Sequence, residues 1–302
     1  MSATTPGSLP AAASVVGKLP PHAFFVVSAI FHSLGPAFAV LLFAHVPLLG
    51  VAWLRIASAA AVFAVWRKPW RYWRNLDCSA RRTVGLLGIV LALMNASFYL
   101  AIDRLPLSTV SAIEFLGPIV LAAVGMRTAR NYCALTLGAA GAYVLTEIRV
   151  VGEPWGFAFA FANCVLFVLY VVLGHRIARD GGAAGIDRLG ASMLIAMIVA
   201  APIGIPDAAS ALAAPMLLAA GIGVGVSSSV IPYVCDQLAM ARLPRASFAL
   251  LLSLLPATAA VIGFLVLHQV PSISELTGIG LVILGVGIHQ ADPMTARTRS
   301  GE

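Results

Sequence analysis

The sequence predicts an all-α membrane protein whose ten transmembrane helices form two inverted five-helix repeats. Three observations support this fold class: the apolar composition, an internal duplication and the distribution of basic residues. Of the 302 residues, 60% are hydrophobic and 10% are charged, whereas a soluble domain carries about 25% charged residues. The composition therefore excludes a soluble globular protein. It predicts helical spans of about 20 residues each, because a backbone in lipid must satisfy its own hydrogen bonds.

Ten apolar segments with short connections follow one another along the chain. They lie near residues 22–43, 47–66, 83–102, 106–126, 131–147, 155–176, 188–205, 214–238, 244–267 and 273–290. Residues 1–21 are predicted to form a disordered cytoplasmic tail and residues 291–302 a second cytoplasmic tail. The connections leave no room for a soluble domain.

The duplication is clearest between residues 100–125 and 238–263, where nine of 26 positions are identical. The shared positions include Arg-Leu-Pro at 104–106 and 242–244, each followed twelve residues later by a second proline. We therefore divide the chain into a first repeat, 22–147, and a second repeat, 155–290.

The basic residues predict the orientation, because Lys and Arg accumulate in cytoplasmic loops. With the N-terminus inside, Arg104 and Arg149 lie outside and Arg55 lies within a span. Both termini are then cytoplasmic, and the odd number of helices per repeat inverts the second copy. The net charge of +7 is thus assigned to orientation and not to nucleic-acid binding. The other sixteen Lys and Arg residues lie inside: Lys18, Arg67, Lys68, Arg71, Arg74, Arg81, Arg82, Arg127, Arg130, Arg176, Arg179, Arg188, Arg242, Arg245, Arg297 and Arg299.

Arg55 lies about nine residues into the second span. At that depth an arginine costs on the order of 3 kcal/mol unless it faces a cavity or a partner. A planar guanidinium group binds a carboxylate with two hydrogen bonds, so one interpretation is an anion-binding residue in a central cavity. The alternative is a structural ion pair with a carboxylate such as Glu114.

Glu114 is buried in the fourth predicted span, and the second repeat has Leu252 at the equivalent position. Ser111 and Pro118 share its helical face, and the proline favours a kink there. A carboxyl group at this depth can bind and release a proton during a transport cycle. Glu114 is therefore a candidate for proton coupling, and the alternative is a static pair with Arg55.

The eighth predicted span carries Ser229, Tyr233, Asp236 and Gln237 at positions i, i+4, i+7 and i+8. This spacing places them on one face of an α-helix, which we expect to line a lumen. Asp236 lies toward the inner end and is the second candidate for proton coupling. Its alternative is a carboxylate at the membrane interface.

Other spans carry smaller sets of polar residues. These either line the same cavity or only form hydrogen bonds between helices, each of which contributes about 0.6 kcal/mol to stability. They are Ser28 and His32 in the first span, Asn95 and Tyr99 in the third, and Asn163 and Tyr170 with Phe167 in the sixth.

Several enzyme and cofactor motifs are missing from the sequence. It contains no P-loop, HExxH or GxSxG pattern and no histidine cluster, and its four cysteines form no CxxC pair. The sequence therefore gives no indication of an ATPase, a hydrolase, a metal site or another cofactor, and it predicts a protein that is not an enzyme.

Five sequence motifs resemble the EamA family of the drug/metabolite transporter superfamily. They are LRIA around Arg55, KPWR at 68–71, MNASFYLAIDRLP at 94–106, AIEFLGP at 112–118 and IPYVCDQLAMARLP at 231–244. The likeness extends over most of 22–290. It departs at Leu255 and Gln269, where the family usually has glutamate, and at Phe167, where tryptophan is common. The resemblance implies a bacterial inner-membrane secondary transporter that exports amino acids such as threonine and homoserine, or related small metabolites, with proton coupling.

A zwitterionic substrate suits the charged residues, with its carboxylate at Arg55 and its ammonium group near Glu114. Two other functions stay open at this level. One is efflux of drugs or hydrophobic cations by the same fold, which Arg55 disfavours, and the other is a lipid flippase or membrane-embedded enzyme. The predicted partners are a small solute and the lipid bilayer, without nucleic acid, and a homodimer is left open.

Overall fold

The computed structural model describes residues 20–74, 76–105, 128–146, 154–179, 181–244, 255–267 and 273–288, together with residues 110, 111, 113, 114, 116, 117, 248 and 251. These residues form helices and connecting turns, and there is no strand among them. The predicted all-α class is therefore confirmed for this part of the chain.

Nine longer helices and one group of helical residues within 110–117 are described. They are α1 (Pro21–Leu42), α2 (Leu48–Arg67), α3 (Cys78–Ile102), α4 (the described residues within 110–117), α5 (Ala129–Thr146), α6 (Pro154–Ala178), α7 (Gly182–Asp207), α8 (Pro215–Met240), α9 (Leu255–Leu267) and α10 (Ile273–Ile288). Two five-residue helices, Pro69–Trp73 and Ala209–Ala213, lie in connections.

Six of these segments are long and apolar enough to cross a membrane, counting only the described residues: α1, α2, α3, α6, α7 and α8. The predicted spans near 106–126, 131–147, 244–267 and 273–290 each include residues outside the described ones. These helices support a multi-pass membrane protein, and ten crossings remain a prediction.

Two helices begin earlier than the sequence pattern predicts. The side chain of Asp77 accepts a hydrogen bond from the backbone N–H of Ala80 at 3.0 Å, so this N-cap starts α3 at Cys78 and not near residue 83. Helix α7 follows Gly181, whose φ of 104° lies in the region that favours glycine. The charged first turn of α3 and the glycine and alanine residues at the start of α7 hide these helix starts from a hydropathy pattern.

Helix α8 contains a π-helical turn, Val226–Val230, between the α-helical segments Pro215–Gly225 and Ile231–Met240. The hydroxyl of Ser227 donates to Gly223 O at 2.8 Å, and that of Ser228 donates to Val224 O. Pro232 has no N–H, so it cannot supply the α-helical hydrogen bond to the carbonyl of Ser228. The wider turn and the proline together leave the Ser228 carbonyl available to another helix.

Seven pairs of helices make the main packing contacts. Helix α1 packs on α8 and α9, α3 packs on α6 and α7, α2 packs on α7 and α8, and α5 packs on α10. The π turn lies close to its neighbours, because a Cβ atom at Gly35 would collide with Ser228 and one at Gly225 would collide with Ser58 and the Arg55 carbonyl. Small residues therefore allow α1 and α2 to approach this turn.

Two apolar core clusters fill the bundle at different depths. The first includes Phe24, Phe63, Leu87 and Leu189, and the second includes Leu42, Val51, Ala101 and Leu105. The two clusters meet partway along α2, α3, α6 and α8, and the deep polar residues lie at or next to this boundary. On the side of the second cluster the boundary residues are Leu54 in α2, Phe98 in α3, Cys164 in α6 and Val224 in α8. On the side of the first cluster they are Ile56, Met94, Phe167 and Val230 in the same helices.

Candidate functional site

A narrow cavity of about 30 Å³ lies at the boundary between the two core clusters. Seven helices contribute to its wall. The polar residues that line it are His32, Ser33, Arg55, Asn95, Ser111, Glu114, Asn163 and Tyr233. Met94, Phe98, Leu255, Ala259 and Gly263 are among its apolar residues.

Arg55 is held by one edge of its guanidinium group. The side chain is 5% exposed, its Nε donates to Ser229 Oγ at 2.8 Å, and its Nη2 donates to the Ser228 carbonyl at 2.8 Å. This is the carbonyl that Pro232 leaves without an α-helical partner. The second edge, formed by Nη1 and Nη2, is the one that a carboxylate can bind in bidentate fashion.

Glu114 lines the same cavity as Arg55 and is 4% exposed. The two charges attract each other, but no nitrogen of Arg55 lies within 4.0 Å of a Glu114 carboxylate oxygen in this geometry. The described arrangement thus places the two opposite charges around one cavity without the static ion pair that is the alternative interpretation of the sequence.

Four buried polar atoms around the cavity make no hydrogen bond of standard geometry among the described residues, although Asn163 interacts with Glu114, Tyr233 with Asn95 and Tyr99 with Arg55. They are the hydroxyls of Tyr99 and Tyr233 and both amide atoms of Asn163. Asn163 and Tyr233 line the cavity, and all three side chains are fully buried. Buried polar groups in proteins nearly always have a partner, so these atoms indicate where a polar ligand can bind. Asn95 differs, because its Nδ2 donates to Leu91 O at 2.7 Å.

Asp236 belongs to a second polar group outside the cavity lining. Its carboxylate accepts hydrogen bonds from Ser28 Oγ of α1 and from the Tyr170 hydroxyl of α6 at 2.8 Å. Ser28 also donates to the Pro232 carbonyl at 3.3 Å. Gln237 lies beside this group, fully buried, with Oε1 lacking a partner in the part of the chain that is described. The Asp236 group therefore joins α1, α6 and α8.

The structure divides the predicted site residues into two sets. Arg55, Asn95, Glu114, Asn163 and Tyr233 line the cavity, and the Tyr99 hydroxyl interacts with the Arg55 charge from beside it. Tyr170, Asp236 and Gln237 form the second set, separated by the Tyr170 and Tyr233 rings, whose centroids are 5.4 Å apart. The division falls within the α-helical segment Ile231–Met240, after the π turn, because Asp236 and Gln237 lie one helical turn beyond Tyr233.

Ser33 and Ser228 are not among the site residues predicted from the sequence, which leaves the place of His32 open. Ser228 contributes a backbone carbonyl, which composition cannot reveal, but a signal was present in the run SSSVIP at 227–232. Serine hydroxyls compete for backbone carbonyls within a helix, and a proline four residues after Ser228 frees that carbonyl. Together these features predict an irregular turn.

A cavity lined by two opposite charges among apolar helices is typical of a membrane transporter. Residues 154–289 match the EamA-like transporter family. The chain is 32% identical over 258 residues to the threonine/homoserine exporter RhtA of Salmonella typhimurium (strain SL1344), an alignment that covers 83% of this chain and 82% of the relative. It is 30% identical over 255 residues to RhtA of Escherichia coli (strain K12), covering 82% and 84% respectively.

This chain belongs to the EamA-like transporter family, which confirms the resemblance seen in its motifs. A solved crystal structure aligns with a TM-score of 0.64 at 18% identity, covering 93% of this chain and 99% of the other, and that likeness shows the fold alone. Family membership and the apolar helices together support a multi-pass protein of the inner membrane.

Proposed function

We propose that the protein is a secondary exporter of small amino acids of the threonine and homoserine type, and that the cavity beside Arg55 is its substrate site. The observation that carries this proposal is the way in which two hydrogen bonds hold the guanidinium group of Arg55. One edge of the guanidinium group is fixed to α8 by two hydrogen bonds of 2.8 Å, which leaves the Nη1/Nη2 edge for a substrate carboxylate.

Glu114 supplies the complementary charge for the ammonium group of a zwitterion. The amide atoms of Asn163 make no hydrogen bond of standard geometry, although the side chain interacts with Glu114, and they suit a side-chain hydroxyl such as that of threonine. A hydrophobic cation would leave Arg55 without a partner, which argues against drug efflux as the main activity. The similarity to the RhtA exporters supports the same substrate class.

Helix packing supports two inverted five-helix repeats. If each helix is replaced by the one five positions away, the pair α1–α8 becomes α6–α3, and α2–α8 becomes α7–α3. All of these pairs are in contact. The pair α1–α9 becomes α6–α4, and Gly117 of α4 lies against Val168 and Cys164 of α6. The pairs α2–α7 and α5–α10 map onto themselves. This pattern is expected of a pseudo-two-fold axis in the membrane plane.

Alternating access requires the helices to separate on one side of the cavity and then on the other. We assign proton coupling to Glu114, which binds the substrate ammonium group or a proton in alternation. Asp236, which holds three helices together through Ser28 and Tyr170, is the second candidate.

The proposed function is tested by efflux of labelled amino acids from loaded proteoliposomes that contain the wild-type protein, Arg55→Ala, Arg55→Lys or the control Arg104→Ala. Wild type should export threonine and homoserine in preference to valine, which has the shape of threonine but no hydroxyl. Arg55→Ala should lose at least about thirtyfold in threonine transport, because removing one partner of a buried charge pair costs about 2 kcal/mol or more.

Arg55→Lys should lose most activity too, since an ammonium group cannot replace the planar fork. Arg104 is exposed and pairs with Asp103, so Arg104→Ala should transport normally. Full activity of Arg55→Lys would mean that Arg55 is a structural charge. Transport of none of the tested amino acids by wild type would contradict the proposed substrate class.

A further inference from the structure

The connection between α2 and α3 carries a concentrated positive charge at the membrane surface. Both helices are candidate membrane spans, so the residues that join them lie at one end of the bundle, where lipid headgroups are found. Five basic side chains in this connection and the first turn of α3 are exposed: Lys68, Arg71, Arg74, Arg81 and Arg82. We call these five residues the basic patch.

Within the described residues, no carboxylate forms an ion pair with the basic patch. Asp77 is the single acidic residue between positions 56 and 102, and its side chain caps α3. The nearby Asp187 is bound by Arg67 at 2.6 Å. Arg81 donates to the Arg74 carbonyl at 3.1 Å, which holds the start of α3 against the preceding segment but adds no negative charge.

The backbone of this connection turns sharply and presents aromatic rings beside the charges. Lys68 has φ 49°, a left-handed conformation that non-glycine residues rarely adopt, and it separates α2 from the short helix Pro69–Trp73. Tyr72 and Trp73 pack on the first core cluster, whereas Trp66 is 53% exposed and Trp70 is 50% exposed. Tryptophan side chains are enriched at the headgroup level of membranes.

We propose that the basic patch, together with Trp66 and Trp70, is a binding site for the headgroup of an anionic phospholipid. The guanidinium and ammonium groups bind the phosphate, and the exposed indole rings lie against the upper part of the acyl chains. Clusters of this size next to a membrane span are typical of anionic lipid recognition. The site is separate from the Arg55 cavity, and it does not depend on the transported substrate.

Native mass spectrometry of the purified full-length protein tests this inference, with phosphatidylglycerol or phosphatidylcholine added at equal concentration. Wild type should retain phosphatidylglycerol in preference to phosphatidylcholine. The double variant Arg71→Gln/Arg74→Gln should bind phosphatidylglycerol on the order of tenfold more weakly. Arg71→Lys/Arg74→Lys keeps the charge and should retain the lipid.

A matched control removes the same charge elsewhere. Arg176 and Arg179 are exposed at the end of α6, so Arg176→Gln/Arg179→Gln lowers the net charge equally and should leave phosphatidylglycerol binding unchanged. Equal loss in both double variants would mean that overall charge attracts the lipid, and it would overturn the site. Equal retention of the two lipids by wild type would overturn it as well.

A salt series on the wild type provides a test that requires no variant. Binding of phosphatidylglycerol should weaken as ionic strength rises, because exposed charges are screened within about 10 Å at 0.1 M salt. Salt-independent retention would contradict recognition by the basic patch.

Discussion

Arg55 uses one edge of its guanidinium group for structure and leaves the other for binding. The two hydrogen bonds to Ser228 and Ser229 fix the plane of the group, so little side-chain freedom is lost when a carboxylate binds. Glu114, in the wall of the same cavity, breaks the internal duplication because the second repeat has Leu252 there. The charge asymmetry of the two repeats is thus concentrated at the site.

We predict that Glu114→Gln abolishes export driven by a pH gradient, because the glutamine cannot take up or release a proton. Exchange of threonine between two loaded compartments should survive at least in part, since glutamine keeps the size of glutamate and its hydrogen-bonding capacity. Asp236→Asn is the matched comparison, and both variants are measured by efflux from proteoliposomes with and without the gradient. A full pH response in Glu114→Gln would move the coupling role to Asp236.

At the scale of single elements, the π turn of α8 connects the two polar groups of the molecule. It presents the Ser228 carbonyl and the Ser229 hydroxyl to Arg55, and Pro232 accepts a hydrogen bond from Ser28. A conformational change of α8 would therefore alter the contacts of Arg55 and of the Asp236 group together.

We predict that Ser229→Ala raises the KM for threonine about tenfold, with a smaller effect on the maximal rate. The alanine removes the acceptor of the Arg55 Nε–H, and a hydrogen bond to a charged group contributes about 1.5 kcal/mol or more. Ser227→Ala is the control in the same turn, because the Ser227 hydroxyl donates to Gly223 and Val224 within its own helix. Initial efflux rates over a range of internal threonine concentrations provide the measurement. An equal effect of the two variants would contradict a specific role for Ser229.

The polar residues and the helix starts differ in how far the sequence can predict them. Arg55, Asn95, Glu114 and Asn163 were predicted because a charge or an amide deep in an apolar span is costly unless it faces a cavity or a partner. The separation of Asp236 from the cavity could not be predicted from helical spacing, which places Tyr233 and Asp236 on one face but does not give the depth at which the cavity ends. The early start of α3 was missed because an N-cap and a charged first turn resemble a loop in hydropathy.

At the scale of the whole molecule, the polar groups lie where two apolar clusters meet, and the helix pairs repeat with an offset of five. The composition alone predicts a helical membrane protein, and the relatives establish its family. The number of crossings follows from the apolar segments, and the orientation follows from the basic residues between them. Both stay predictions that topology measurements can test.

We predict that both termini are cytoplasmic. Reporter fusions after Ser300 and within residues 70–80 should be active in the cytoplasm, whereas a fusion near Val151 should be active outside. This pattern follows from sixteen of 19 basic residues lying on one side. A C-terminal reporter that is active in the periplasm would contradict ten crossings and the inverted repeats.

The central claim is that Arg55 binds a substrate carboxylate, and calorimetric binding to the purified full-length protein tests it most directly. Threonine is compared with 1-amino-2-propanol, which lacks the carboxylate, and with 3-hydroxybutyrate, which lacks the ammonium group. Wild type should bind threonine at least about tenfold more tightly than either analogue, since each analogue leaves one buried charge without a partner. In Arg55→Ala the preference for threonine over 1-amino-2-propanol should disappear. Equal binding of threonine and 1-amino-2-propanol by wild type, or an unchanged preference in Arg55→Ala, would contradict the claim.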